Sequence, residues 1–202
     1  MHSLVIEGYE QAAAELVPRY DAVSSADVFS TVADVLPEPA STVIDIGAGT
    51  GRDAAWLASR GCRVLAVEPV AAFRTAGARR HRSRRIEWLD DALPELARVL
   101  DRGEMFDFIV RSAVWQHLND QQRQIALPNL RVLATPQGCL LLSVRHGPGA
   151  PTRPCFPASV EDTIALAHAN DFRLLFRRSA ASMQEINRQA GISWTWLAFL
   201  AQ

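Results

Sequence analysis

The sequence predicts an α/β fold: a doubly wound, mostly parallel sheet of seven strands with an N-terminal helical cap. Three observations carry that expectation. Five short apolar runs alternate with helical stretches between residues 42 and 145, the order of a parallel sheet crossed by helices. The first run passes directly into three alternating glycines, Gly47, Gly49 and Gly51, at the kind of turn where such sheets hold nucleotide-like ligands. After a Pro/Gly loop at 147–157 the tail changes to helix, strand, helix, strand, which adds a terminal strand pair.

Residues 9–17 (YEQAAAELV) and 25–36 (SADVFSTVADVL) read as helices, with Ser24 or Ser25 as an N-cap. Residues 42–46 (TVIDI) form a strand without clean alternation, as a strand buried on both faces does. A helix follows over 51–59, with Gly61 placed to cap its end. Strands at 63–67, 86–89 and 106–111 alternate with helices at 70–80 and 92–100. A helix over 119–134 is expected to be interrupted at Pro128, and 138–145 (GCLLLSVR) is a fifth strand. Helices at 158–169 and 182–190 and strands at 172–177 and 193–200 complete the sheet. One unit is expected over 1–202, with a cap over 1–38, a ligand-binding core over 40–146 and C-terminal helices and strands over 147–202.

Composition narrows the function classes. The 202 residues are 49% hydrophobic, enough for a sizeable core, and the formal net charge is -1. No global field therefore draws the chain to nucleic acid or membrane. All 21 basic residues are Arg, which reads as genome composition because no single site requires it. Cys62, Cys139 and Cys155 form neither a CxxC pair nor a Cys/His ligand set, so no metal is expected and a reducing, cytoplasmic setting fits. The opening MHSLVIEGYEQ lacks the basic and long apolar regions of a signal peptide. No apolar run approaches the ~20 residues of a membrane helix.

The glycine loop discriminates between ligands. From Gly47 it reads G-A-G-T-G-R, so the dinucleotide pattern GxGxxG has Arg52 where a small residue belongs. Asp53, in the same first helical turn, would repel a pyrophosphate. An adenosine ligand without phosphates suits the loop better, and S-adenosylmethionine is one. Loop amides can meet its carboxylate. Loop carbonyls, with Asp45 or Asp53, can meet its ammonium and sulfonium. Glu68, at the end of the second strand, can accept from both ribose hydroxyls, although an acid there serves both cofactor classes.

The run Asp45-Ile46-Gly47-Ala48-Gly49-Thr50-Gly51-Arg52-Asp53 resembles motif I of the class I S-adenosylmethionine-dependent methyltransferases. Glu68-Pro69 resembles their acidic residue after strand two, and Asp91-Ala92 in WLDDALPEL the acid and small residue after strand three. FDFIVRSAVWQHL resembles their strand four and following loop, and LPNLRVLATPQGCLLLSVRHG their helix and Pro-x-Gly turn into strand five. The resemblance spans roughly residues 40 to 146, and the terminal strand pair fits the family sheet. One departure is Asn170-Asp171-Phe172, where Gly-Phe is usual before strand six. The resemblance implies methyl transfer from S-adenosylmethionine to a small-molecule acceptor, leaving S-adenosylhomocysteine. It implies cofactor contacts from Asp45, Gly47, Ala48, Gly49, Gly51, Asp53, Glu68, Pro69, Asp91, Ala92, Arg111 and Ser112. Asp90 competes with Asp91 for the adenine; Asp91 is preferred because Ala92 follows it.

Each singled-out residue also has a plainer reading. Asp53 suits a helix N-terminus, and Glu68 taken alone is a solvated strand end. The six arginines from Arg74 to Arg85 read as a solvated helix end, because no aromatics interleave them. Trp194 and Trp196 share one face of the last strand, where packing is the default. His117 is a candidate general base or a loop-shaping side chain, and the second reading is preferred. Arg145 and His146, past strand five, either bind an anionic substrate or close the loop. Tyr9, Arg19 and Tyr20 are candidates to close over the cofactor. The substrate site is expected between the N-terminal helices, the 112–118 loop and the 145–157 loop. A non-catalytic sensor or partner subunit that binds the same cofactor remains an alternative. A nicotinamide oxidoreductase is disfavoured by Arg52.

Overall fold

Apolar runs without alternation become the central strands. Thr42–Ile46 (β1), Arg63–Val67 (β2) and Phe106–Arg111 (β4) are buried along nearly their whole length. With Ile86–Leu89 (β3), Ala134–His146 (β5), Phe172–Ala181 (β6) and Ser193–Ala201 (β7) they build one sheet, ordered β3-β2-β1-β4-β5-β7-β6. All pairings among β1 to β5 are parallel, and β7 runs antiparallel to both its neighbours. The expected seven-stranded sheet is therefore present. This computed structural model describes residues 3–202; Met1 and His2, at the start of the expected cap, lie outside the described residues.

Helices cover both faces: Ser3–Asp21 (α1), Ser25–Val28 (α2), Arg52–Ser59 (α3), Ala71–Arg80 (α4), Ala97–Leu100 (α5), Asp120–Leu133 (α6), Val160–His168 (α7) and Glu185–Gln189 (α8). One core joins Ile44, Leu65, Ile109 and Leu140 to the α6 leucines. The opposite core joins Val43, Val64, Phe108 and Leu141 to Phe29 and Leu57. On that second face α1 packs over α4 through Ala13, Leu16, Val70 and Phe73.

Several elements differ from the sequence expectation, each for a local reason. The helix expected over 25–36 breaks into α2 and a 3-10 segment, Ser30–Val35. Between them Phe29 is buried and stacks on Trp56 at 5.5 Å, and β-branched Thr31 and Val32 disfavour a helical continuation. The helix expected over 92–100 shrinks to α5, because Asp91 caps its turn by accepting from the Ala92 and Val99 amides. Conversely, α6 runs through Pro128 unbroken. Burial of Leu127, Leu130 and Leu133, at ~1.5–3 kcal/mol each, outweighs the ~3 kcal/mol cost of an interior proline. An Asn119–Gln122 capping box also fixes its start. The helix expected over 182–190 is only Glu185–Gln189; it buries no residue, so nothing beyond propensity extends it.

Gly8 on α1 lies against the 147–157 loop. A Cβ there would sit 1.9 Å from the Thr152 carbonyl oxygen, so only glycine permits the contact. Gly8→Ala is expected to push the loop off α1, lower stability by ~1–3 kcal/mol and speed proteolysis within 147–157. Thermal denaturation with limited proteolysis checks this; unchanged cleavage would show that the loop does not depend on α1.

Candidate active site

The sheet register builds the floor of the site. Ser143 and Arg145 of β5 lie opposite Trp196 and Trp194 of β7. Because side chains alternate along a strand, these four share one face with Asp45 at the end of β1. Above them a cavity of about 450 Å³ runs from the glycine loop to the β6–β7 end of the sheet, beneath α1. That volume lies in the range of small-ligand pockets, ~300–1,000 Å³.

The three glycines have different reasons. Gly47 has φ +77°, and a Cβ there would lie 2.4 Å from Val114. Gly51 has φ +74°, and Trp88 fills the space a Cβ would need at 2.5 Å. Gly49 also has positive φ, but its side faces the cavity, with no atom of another residue closer than Tyr20 at 4.0 Å. Gly51 thus packs against the protein, whereas Gly47, Ala48 and Gly49 line the cavity.

The loop amides are engaged within the protein. Gly47 and Ala48 donate to the Val67 carbonyl, Gly51 donates to Ala48, and Gly49 donates to Glu68 Oε2 at 2.7 Å. Glu68 Oε1 accepts from the Val70 amide at 2.8 Å. Burial pushes the Glu68 carboxyl up to about 7 despite these two bonds. Asp45 is also buried, and its Oδ2 has no hydrogen-bond partner. Burial, with Asp53 nearby, holds Asp45 well above the usual carboxylate range. The loop therefore presents carboxylates to the cavity rather than free amides. Such a wall attracts a cation and offers an anion little.

Asp53 lines the cavity but pairs with the Arg52 guanidinium at 2.8 Å and accepts from Ser25 Oγ at 2.7 Å. Pro69, Ser112, Tyr9, Arg19, Tyr20 and Arg145 also line it. Besides Gly51, four expected residues lie outside it. Asp91 accepts from the amide of its neighbour Ala92 and from the Val99 amide of α5, and Ala92 lies outside the cavity with it. Arg111 is fully buried and lies 4.3 Å from the Trp115 ring centre, on the far face of the sheet. His146 Nε2 bonds Thr195 Oγ1 at 2.8 Å, on the face away from Trp194. Asp90 pairs with Arg74 at 3.0 Å and does not line the cavity either.

His117 joins three segments. Its Nδ1 is 2.9 Å from the Pro154 carbonyl, which can only accept, so Nδ1 carries the proton. Nε2 is then the acceptor, and the Tyr9 hydroxyl donates to it at 2.8 Å across 108 residues of sequence. Burial pushes His117 down to about 4, and keeps the Tyr9 hydroxyl well above its ordinary value. Arg123 secures the same loop by donating to the Phe156 and Pro157 carbonyls at 3.0 and 2.8 Å.

Sequence reasoning missed Phe73, Val114 and Arg153 as lining residues and read the two tryptophans as packing alone. The shared face of Trp194 and Trp196 was the available signal. Nothing in the 147–157 loop marks Arg153.

A seven-stranded sheet with one reversed terminal strand, and an acid-walled glycine loop after β1, define the class I methyltransferase architecture. Residues 44–140 match the family described as Methyltransferase domain, and the fold is that of the class I, S-adenosylmethionine-dependent methyltransferases. That makes S-adenosylmethionine its cofactor and methyl transfer its chemistry. No curated protein matches it by sequence. Among solved structures, a Burkholderia thailandensis 1,6-didemethyltoxoflavin-N1-methyltransferase aligns at TM-score 0.72 and 18% identity, over 99% of this chain and 88% of that one. A TehB-like S-adenosylmethionine-dependent methyltransferase from Corynebacterium glutamicum aligns at 0.67 and 17%, over 98% of both chains. The [4+2]-cyclase SpnF aligns at 0.67 and 14%, over 90% of this chain and 84% of that one. At these identities the likeness is one of fold.

Proposed function

We propose that this chain methylates a small-molecule acceptor and that the cavity holds cofactor and acceptor side by side. The observation that carries the reading is the acid wall of the glycine loop. Gly47, Ala48, Gly49 and Gly51 amides are already bonded, while Asp45 Oδ2 is buried without a partner. The unpaired Asp45 oxygen fits an ammonium, and Glu68 has lone pairs left for ribose hydroxyls. Pro69, Val70 and Phe73 give an apolar wall for a ring. A pyrophosphate would find engaged amides and three carboxylates instead.

When bound, the cofactor supplies a methyl group on a positively charged sulfur, which leaves as a neutral thioether. The acceptor's lone pair forms the new bond to carbon. The chain's part is to align the two and exclude water. α1 covers the cavity, and His117 holds the Tyr9 hydroxyl and the Pro154 loop in place. Where the acceptor carries a proton, the methylated product gives it up to solvent on release, so the chain needs no dedicated base.

S-adenosylhomocysteine at a hundredfold excess over its dissociation constant is expected to stabilise the protein by ~2.7 kcal/mol. For a chain of this size that is a rise of about 5–10 °C in melting temperature. NAD is expected to give none. A shift with NAD alone would sink the assignment.

The small-acceptor reading also excludes nucleic acid. The net charge is -1, and Arg74 and Arg80 in the arginine run pair with Asp90 and Asp21. Oligonucleotide binding tighter than micromolar at physiological salt, with a steep salt slope, would overturn that exclusion. A cytoplasmic setting accords with three free thiols; no helix among the described residues is long and apolar enough to cross a membrane.

A further inference from the structure

Acids and arginines both line the cavity, and Asp27 of α2 is among the acids. Asp45 and Glu68 stand at the glycine loop, and Asp53 there is paired with Arg52. Arg19 is paired with Glu15 at 2.9 Å and donates to Gln184 at 3.0 Å. Arg145 and Arg153, at the other end, form no ion pair with any described residue. Arg145 donates to the Pro148 carbonyl at 2.6 Å, and its guanidinium lies 5.9 Å from the Trp194 ring centre. Arg153 lies 5.1 Å from the Tyr9 ring centre. Arg145 also lies 3.9 Å from Cys155 Sγ, two residues along the loop from Arg153, and both arginines line the cavity. Two cations without an ion-pair partner on the wall of one cavity favour a bound anion there.

Beside them the wall is flat and aromatic. Trp194 is half-buried, and Trp196 on the same face is almost fully covered. Opposite Trp194 on β6 stands Ala180, whose small side chain leaves room beside the indole.

Resting on methyl transfer as the reaction, we propose that the acceptor is a planar aromatic acid, its anionic group held by Arg145 and Arg153 and its ring against Trp194. The two arginines are thus specificity-determining residues. They select the anion by charge-assisted hydrogen bonds, and the tryptophan orients the ring so that the nucleophilic atom points toward the glycine loop. The cofactor's own net positive charge is met by Asp45 and Glu68, which leaves the arginine pair for the second ligand.

Hydroxylated benzoic, naphthoic and cinnamic acids, each beside its neutral methyl ester, provide the test. Their binding to protein saturated with S-adenosylhomocysteine is measured by calorimetry. At least one acid is expected to bind about tenfold or more tighter than its ester. Arg145→Gln and Arg153→Gln are each expected to remove most of that preference while S-adenosylhomocysteine affinity stays within about twofold. The Lys variants, which keep the charge, are expected to retain part of it, which separates lost recognition from lost folding. Esters binding as well as acids, or no acid binding at all, would overturn the proposal. So would a loss of S-adenosylhomocysteine affinity in the Gln variants, which would give the arginines to the cofactor carboxylate. A wild-type protein that fails to bind S-adenosylhomocysteine would instead strike the methyl-transfer reading beneath the proposal.

Discussion

Glu68→Ala is expected to weaken S-adenosylhomocysteine binding by a hundredfold or more and to cost stability in the free protein as well. Two ribose hydroxyl bonds to a charged acceptor are worth on the order of 1.5–3 kcal/mol each. The same carboxylate also receives the Gly49 and Val70 amides, and Ala strips both of an acceptor. An orphaned amide costs ~1–3 kcal/mol, so with two of them unfolding free energy is expected to fall by about 2–6 kcal/mol. Calorimetry on the folded variant, with chemical denaturation of the free protein, measures the two effects separately. Unchanged affinity would mean that the ribose is held elsewhere.

The Glu68 environment also sets a pH dependence. Burial raises its pKa from 4.5 to about 7 in the free protein. The protonated form is favoured by folding, so its stabilising contribution is complete below 4.5 and is lost as pH rises through about 7. Ribose hydroxyls bind the ionised form, so affinity moves the other way. The dissociation constant is expected to rise by up to about tenfold per pH unit below 7. Asp45 titrates in the same sense, so the slope flattens in Glu68→Ala rather than vanishing.

His117→Ala is expected to raise the acceptor KM by about tenfold or more, with kcat reduced by less than about a hundredfold. A general base works best with a pKa near the working pH and contributes ~10²–10⁴ in rate. Burial instead pushes His117 to about 4, and both ring nitrogens are already bonded. It is a positioning residue. His117→Asn places a side-chain N–H where Nδ1–H stood and is expected to recover much of the KM. The pH profile of kcat/KM is expected to show no inflection near 6.5 attributable to this residue. Because its folded pKa is depressed, the stability it contributes is present above 6.5 and is lost as pH falls through about 4. A kcat loss beyond a hundredfold with unchanged binding of both ligands would make it the base after all.

The glycine loop was legible because its signals are local. The turn needs positive φ, the helix follows at once, and Glu68 ends the next strand; all lie within 22 residues, Gly47 to Glu68. The adenine side was less legible. Asp91 was preferred from its neighbour Ala92, yet its two oxygens cap α5, a bond pattern that depends on where Val99 folds back. Arg111 follows an apolar run and ends on the face opposite the cavity, because strand alternation sets the face residue by residue.

By itself the sequence determined the order of strands and helices, the seven-stranded sheet and the acid-flanked glycine turn. Those features follow from side-chain periodicity and turn chemistry over a few residues. Only the tertiary structure decided which side chains meet. Tyr9 reaches His117 across 108 residues because α1 packs over α4. Trp194 faces Arg145 because β7 runs antiparallel to β5 in one particular register. Arg153 joins them because Arg123 and His117 tie down the 147–157 loop. Such meetings depend on long-range packing, which no short window of sequence contains.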